Sequence, residues 1–462
     1  LVPTPASATA ATRGFFLVMA AQFCSSLGDN ALLIAAISLL GEMHAPQWMT
    51  PMLKLFFFIS YVLLAAFVGA LADSMPKWRV MLVTNGVKLL GALLMLVGTH
   101  PLLAYAVVGF GAAGYSPAKY GIVTEMLPPE RLVAANGWIE GLTVASIILG
   151  FVTGGVLISP SVSAILLAVN VPYIEPHHVG NVGEAAIAVI CAIYAVAAVI
   201  NIWVPDTGVR YPRQEHTVWR LLRDFGHCMV TLWKDPLGQI SLAVTTLFWG
   251  AGATLQFILL RWSADVLGMD LSHGAVLQAL AAVGIAVGAV LAAARVSLKQ
   301  SLSVLPVGVA MGLTVTLMSL LDLTPLTHSG PILYGHTVSW ALLVSAVAMV
   351  LIGAMAGYFV VPMNALLQHR GYVLLSSGHS IAVQNFNENL GILVMLGVYA
   401  LLIVAGLSAT ATMCLFGMFV AATMGLVILK HAANQRRFDA VAQIGEARRR
   451  RGPDDQRGPL AR

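Results

Sequence analysis

The sequence predicts an all-α membrane protein with about twelve transmembrane helices in two pseudo-symmetric bundles of six. Three observations predict it. Of 462 residues, 58% are apolar and only 10% are charged, against roughly a quarter charged in a soluble domain; mean hydropathy is +0.85. A soluble globule could not cover its surface with so few charges, whereas surface facing lipid needs none. Apolar stretches of about 20 residues, enough to cross a bilayer core as a helix, recur along the chain. Lys and Arg gather on alternate connections, as a positive-inside topology requires.

Taken in order, spans are expected near 15–40, 51–72, 80–99, 101–123, 134–158 and 185–204, then near 240–262, 274–295, 301–321, 338–361, 378–405 and 408–430. The first is too long for the apolar core of a signal peptide and has no small-residue cleavage site, so it is expected to remain as a span. Between the fifth and sixth, 159–184 is too short in its apolar part to cross and reads as an outer loop or re-entrant piece. With the N-terminus inside, Arg13, Lys77, Arg79, Arg131, Arg210 and the basic tail are cytoplasmic, and the outer connections keep only Lys54 and Arg261. Both termini are then expected on the cytoplasmic side.

This divides the chain into a cytoplasmic segment 1–14, a first bundle 15–204, a linker 205–239, a second bundle 240–430 and a basic tail 431–462. In the linker, Val218, Leu221, Leu222, Phe225, Met229 and Trp233 fall at helical spacing with Arg220, Arg223 and Asp224 between them, an amphipathic helix for the membrane surface. It serves either as a coupling element between the bundles or as a passive connection. The tail, with Arg448-Arg449-Arg450-Arg451, reads as a segment held near anionic lipid. The formal charge of +5 therefore marks membrane-flanking loops, not a nucleic-acid partner.

The halves echo one another. Pro117 is followed by Lys119 in the fourth span and Pro362 by Asn364 in the tenth; the next helix carries Asn136 and Glu140, or Asn385 and Glu388. Corresponding interrupted segments in two halves point to a midplane transport site. Charges at hydrocarbon depth cost roughly 2.5–3.5 kcal/mol or more and must face a cavity or a partner. Such residues are Asp29 and Asn30 in the first span, Tyr115 and Lys119 in the fourth, Glu140 in the fifth, and Gln256 in the seventh. Asn364 follows in the tenth, and Gln384, Asn385, Glu388 and Asn389 in the eleventh. Their mix suits a zwitterion, with Lys119 for a phosphate or carboxylate and Asp29 or an inner Glu for an ammonium. Alternatively Asp29 and Lys119 pair and lock a closed state. Glu140 is expected near the inner mouth, and Lys88, near an inner span end, is expected to snorkel to the interface.

Between spans two and three stand Gly69, Asp73, Lys77 and Arg79. Glycine permits close helix packing, and the acid and bases can bridge helix ends. This resembles the major facilitator signature, which implies the major facilitator fold and a role in stabilising the outward-facing state. No phosphate-binding loop, acyltransferase His-x4-Asp, His-Glu-x-x-His or Gly-x-Ser-x-Gly occurs, so neither an enzyme nor an ATP motor is expected. The four cysteines and His177-His178 fit no metal site; no metal and no cofactor are expected.

Longer strings are more specific. Ala21-Gln22-Phe23 through Gly28-Asp29-Asn30, Tyr115-Ser116-Pro117-Ala118-Lys119, Phe248-Trp249-Gly250, Val361-Pro362-Met363-Asn364 and Gln384-Asn385 with Glu388-Asn389 resemble the bacterial lysophospholipid transporters over about residues 15–430. The resemblance implies flipping of lysophosphatidylethanolamine and its phosphatidylglycerol counterpart to the cytoplasmic leaflet. There an acyltransferase with acyl-carrier-protein synthetase activity, the implied partner, re-acylates them. Gln256 stands where enterobacterial members have arginine, which puts phosphate recognition on Lys119 or another donor. A proton-coupled drug or small-solute porter of the same fold is the alternative.

Overall fold

The structure is a computed structural model that describes residues 5–46, 49–168, 182–211, 217–268, 271–327, 329–333, 336–337, 339–437, 439 and 441–444. The stretch 169–181, Arg213 and the run Arg448 to Arg451 lie outside the described residues. The first half comprises α1 (Pro5–Glu42), α2 (Met49–Leu63), α3 (Ala65–Ser74), α4 (Lys77–Leu96), α5 (Pro101–Met126), α6 (Leu132–Leu157), the short α7 (Pro160–Ala168) and α8 (Val182–Ile202). After the linker helix α9 (Val218–Lys234) come α10 (Gly238–Leu267), α11 (Leu271–Arg295), α12 (Leu305–Leu320), α13 (Trp340–Leu374), α14 (Ser377–Val404) and α15 (Ala409–Arg437).

Ten helices are long and apolar enough to cross a membrane, and the bent pair α2–α3 makes an eleventh. Helix α5 is long enough, at 26 residues, but not apolar enough to be counted with them, so ten or eleven spans stand against the twelve or so expected. It packs against α4 and α2, and its glycines, Pro117 and Lys119 lower its apolar average. The expected single span 51–72 is in fact broken by 65° at Leu64. The break turns α3 onto α14, where a Cβ added at Gly69 would lie 3.0 Å from Ala382 Cβ and 3.1 Å from His379 Cα. A small departure from an all-α chain is the pairing of Ile332–Leu333 with His336–Thr337.

Within the first half, α1 packs on α6 and α8, and α4 on α5 and α8; within the second, α11 packs on α13 and α12 on α15. Bilayers supply no hydrophobic drive between helices, so close packing of small residues does the work. Here α11 and α13 meet backbone to backbone: a Cβ on Gly288 would overlap the Ala354 carbonyl, and one on Gly353 the Ala281 carbonyl. The halves meet where α6 packs on α11 and α13, and where α3 and α5 pack on α14. Helix α9 is amphipathic as its spacing predicts. Phe225 stacks edge-on against Phe386 at 5.5 Å, Leu232 is fully buried, and Trp219 is 76% exposed.

Candidate functional site

Helices α6, α13 and α14 bring four polar side chains into one hydrogen-bonded ladder. Gln384 and Glu388 are one turn apart and share a helix face. Gln384 Nε2 donates to Glu388 Oε1 at 2.7 Å and to Asn364 Oδ1 at 3.1 Å. Asn364 Nδ2 donates to Glu140 Oε1 at 3.2 Å. The ladder thus crosses from the second half to the first. Glu140 is 3% exposed, an interior rung rather than the inner-mouth residue expected from its place early in the span. Toward the linker end, Asn136 and Gln368 exchange two amide bonds of 2.9 Å, and Asn385 Nδ2 donates to Ser116 Oγ at 2.9 Å. Gln384 Oε1 is buried without a partner among the described residues, so the ladder is rich in acceptors. Lys119 makes no ion pair among the described residues. Its Nζ lies 4.1 Å from the Tyr120 ring centroid, within the fields of Glu140, Asp29 and Glu388.

Asp29 does not pair with Lys119. Its Oδ2 takes a 2.7 Å salt bridge from Lys88, its Oδ1 accepts the Tyr194 hydroxyl at 2.8 Å, and Tyr105 donates to its backbone carbonyl at 3.2 Å. Lys88 Nζ also reaches Ser25 Oγ at 2.9 Å, and Ser25 donates to Asn85 Oδ1 at 2.6 Å. Lys88 is therefore no snorkelling residue: it is 2% exposed. Its helix starts at Lys77, which sets Lys88 at mid-depth, and the side-chain-free Gly111 leaves room for its stem. Tyr115 lies beneath the ammonium, 5.2 Å from Nζ to ring centroid.

The signature acid and lysine build a lock at the linker end. Asp73 accepts from Lys77 Nζ at 2.6 Å, from the backbone N–H groups of Gly378 and His379 at 3.0 and 3.3 Å, and from the Ser376 hydroxyl; His379 Nδ1 lies 2.8 Å away. A carboxylate of the first half thereby caps the free amides that begin α14 in the second. Beside it Glu125 accepts from Ser377 Oγ at 2.9 Å, Tyr211 Oη at 2.8 Å and Thr207 Oγ1 at 2.7 Å, while Lys77 Nζ sits 4.6 Å from the Tyr211 ring centroid. Burial, and after it the Glu125 charge, pushes the Tyr211 phenol well above its usual range, so it remains a donor. Arg79 stays exposed against Trp78, at 5.2 Å, outside this lock.

Residues 18–396 match the Major Facilitator Superfamily model. Over 404 residues the chain is 40% identical to lysophospholipid transporter LplT of Yersinia enterocolitica, covering 87% of this chain and 90% of that protein. The chain belongs to the LplT family of the major facilitator superfamily. The Citrobacter koseri LplT is likewise 40% identical over 408 residues, 88% of this chain and 92% of that one. Among solved structures, the facilitator FucP in its outward conformation superposes with a TM-score of 0.64 at 14% identity, covering 91% of this chain and 99% of that one. The human organic anion transporter MFSD10 gives 0.66 at 15%, covering 92% and 100%. At such identities these two structures bear on the fold alone.

In this LplT-family chain the remaining sequence candidates are placed apart from the ladder. Asn30 Nδ2 and Asn389 Nδ2 donate to their own helices, at Ser26 and Asn385 carbonyls. Gln256 Nε2 donates to Gln278 Oε1 at 3.1 Å, and Gln278 Nε2 to the Gln256 carbonyl at 2.9 Å. Between that pair and Glu140 lies an apolar cavity of about 270 Å³, walled by α6 of the first half and by α10, α11, α12, α13 and α15 of the second. Sequence reading missed Lys88, Glu125, Tyr211 and His379 as site residues. Only Lys88 carried a signal, a charge inside an apolar stretch. The buried Arg370–Asp235 bridge of 2.5 Å joins α13 to the turn before α10 and was equally unforeseen.

Proposed function

We propose that this protein flips lysophospholipids, lysophosphatidylethanolamine foremost, across the bacterial inner membrane to the cytoplasmic leaflet by alternating access. Membership of the LplT family supports it, and relatives bearing that name at 40% identity disfavour the drug-porter alternative. The observation that carries the mechanism is the ladder Glu140–Asn364–Gln384–Glu388, which spans both halves beside Lys119, a lysine with no ion pair among the described residues. Lys119 takes the phosphate through a charge-assisted bond. The acceptor-rich ladder takes the ammonium of an ethanolamine head group, or the hydroxyls of a glycerol one. Asp29, already neutralised by Lys88, orders the first bundle rather than binding cargo.

The halves 15–204 and 240–430 rock about this layer, with the linker 205–239 and both termini on the cytoplasmic side. Head-group binding pulls the ladder together, and the Asp73 lock holds the cytoplasmic mouth shut until it does. The product leaflet then supplies an acyltransferase with acyl-carrier-protein synthetase activity. The test is uptake of labelled lysophosphatidylethanolamine by proteoliposomes holding purified protein. Saturable flipping is expected, with rates lowered about tenfold or more by Lys119→Ala or Glu140→Gln, since a hydrogen bond to a charged group contributes roughly 1.5–3 kcal/mol. Unimpaired flipping by both variants would remove the ladder from the mechanism.

A further inference from the structure

Independently of what the protein carries, we infer that α9 is a docking site for anionic phospholipid, by which the leaflet at the linker end takes hold of both halves. The helix has three faces. Leu221, Phe225, Cys228 and Leu232 recur at the spacing of one face. That face is packed: Leu232 is fully buried, and Phe225 and Cys228 lie against the cluster of Leu242, Leu367 and Val383. Trp219, Leu222, Val230 and Trp233 fall together on a second face, and all four are exposed. Arg223, His227 and Lys234 follow one another along a third, with Arg220 at its edge, and these too are exposed.

One packed apolar face is enough to hold a helix on a protein. A second, carrying two tryptophans, has no use in water; tryptophan settles where one side of the ring is apolar and the other wet, at a membrane interface. An apolar stripe flanked by cations is the pattern of a helix lying in that interface. The sign of the flank selects the lipid. Helix α9 carries Arg220, Arg223 and Lys234 against Asp224 alone, so anionic head groups are favoured over zwitterionic ones. The span α10 begins at Gly238, directly after α9 ends at Lys234, which sets α9 where that span leaves the bilayer.

What is docked here reaches the centre of the molecule. Helix α9 packs on α3 of the first half and on α10 and α14 of the second. Phe225 also lies against Val68, Ala113 and Ala382, at the seam between the halves. Trp233 Nε1 donates to Asn387 Oδ1 at 3.3 Å, and Asn387 Nδ2 to Met229 Sδ at 3.2 Å. Asn387 adjoins Glu388 of the ladder, so a lipid that fixes α9 bears on the ladder helix itself.

The experiment titrates detergent-purified full-length protein with phosphatidylglycerol, or with phosphatidylcholine as the zwitterionic control, and reads the midpoint of thermal unfolding. A ligand that binds only the folded protein raises that midpoint. Phosphatidylglycerol should raise it saturably, and phosphatidylcholine should not. Each cation near an anionic surface strengthens binding about fivefold. Arg223→Gln/Lys234→Gln should therefore need about 25-fold more phosphatidylglycerol for the same rise, whereas Arg223→Lys should behave as the wild type. Both variants change exposed side chains only, which rarely disturbs folding. Equal dose dependence in the wild type and the double variant overturns the proposal, because the lipid then acts elsewhere, as on the basic tail. An equal rise with phosphatidylcholine overturns it too. A second readout uses phosphatidylglycerol brominated along its chains, which should quench tryptophan fluorescence more in the wild type than in Trp219→Phe. Identical quenching in the two overturns the seating of the second face in lipid and leaves that face to a soluble partner.

Discussion

A charge buried among helices is held by its partners, and single side chains decide much of this protein's behaviour. Lys88 and Asp29 are 59 residues apart in sequence yet 2.7 Å apart in space. Removing one member of such a pair leaves an uncompensated ion, at a cost of about 3–5 kcal/mol, whereas replacing both is far milder. Lys88→Met should therefore lower thermal stability of the detergent-purified protein sharply, and the double variant Asp29→Asn/Lys88→Met should recover most of it. Equal loss in the single and double variants would contradict the pairing. The ionisable residues themselves were legible, because Asp29, Lys119, Glu140 and Glu388 stand out against apolar spans. Their partners were not: spacing along one helix says nothing about which neighbouring helix faces it, and Lys88 was misread because its helix begins at Lys77 rather than near 80.

At the scale of elements, the lock joins α3, α5, the linker and α14 through Asp73, Glu125 and Tyr211. Asp73→Asn keeps the shape but weakens every charge-assisted bond the carboxylate accepts. It should open the linker end more often, read as faster alkylation of a cysteine placed at Ser377. An unchanged alkylation rate would show that Asp73 does not hold that mouth. Gly288→Leu should drive α11 and α13 apart and abolish a monodisperse peak in size-exclusion chromatography, since the bulkier side chain has backbone where it must go. The amphipathic α9 was legible from its 3.6-residue spacing, and the long spans from apolar run length. The 65° break at Leu64 was not. No glycine or proline marks it, and the bend follows instead from how α3 meets α14.

For the molecule as a whole, hydrogen bonds from half to half gather between the midplane ladder and the linker end, from Glu140 and Ser116 down to Asp73 and Glu125. Such one-sided closure suits a rocking transporter, in which breaking one set of contacts permits the opposite arrangement. The all-α membrane fold, ten or eleven of the expected spans and the family were legible because bilayer length, charge placement and the longer motifs are properties of the chain itself. The cavity was not, since it is walled by six helices from both halves. The decisive measurement is flipping of labelled lysophosphatidylethanolamine in proteoliposomes by the wild type and by the Lys119→Ala/Glu140→Gln double variant, with folding checked by size-exclusion chromatography. Saturable flipping by the wild type and a loss of about tenfold or more in a folded double variant are expected. Equal rates in the two, or no flipping by the wild type, would contradict a head-group site at the layer where the halves meet.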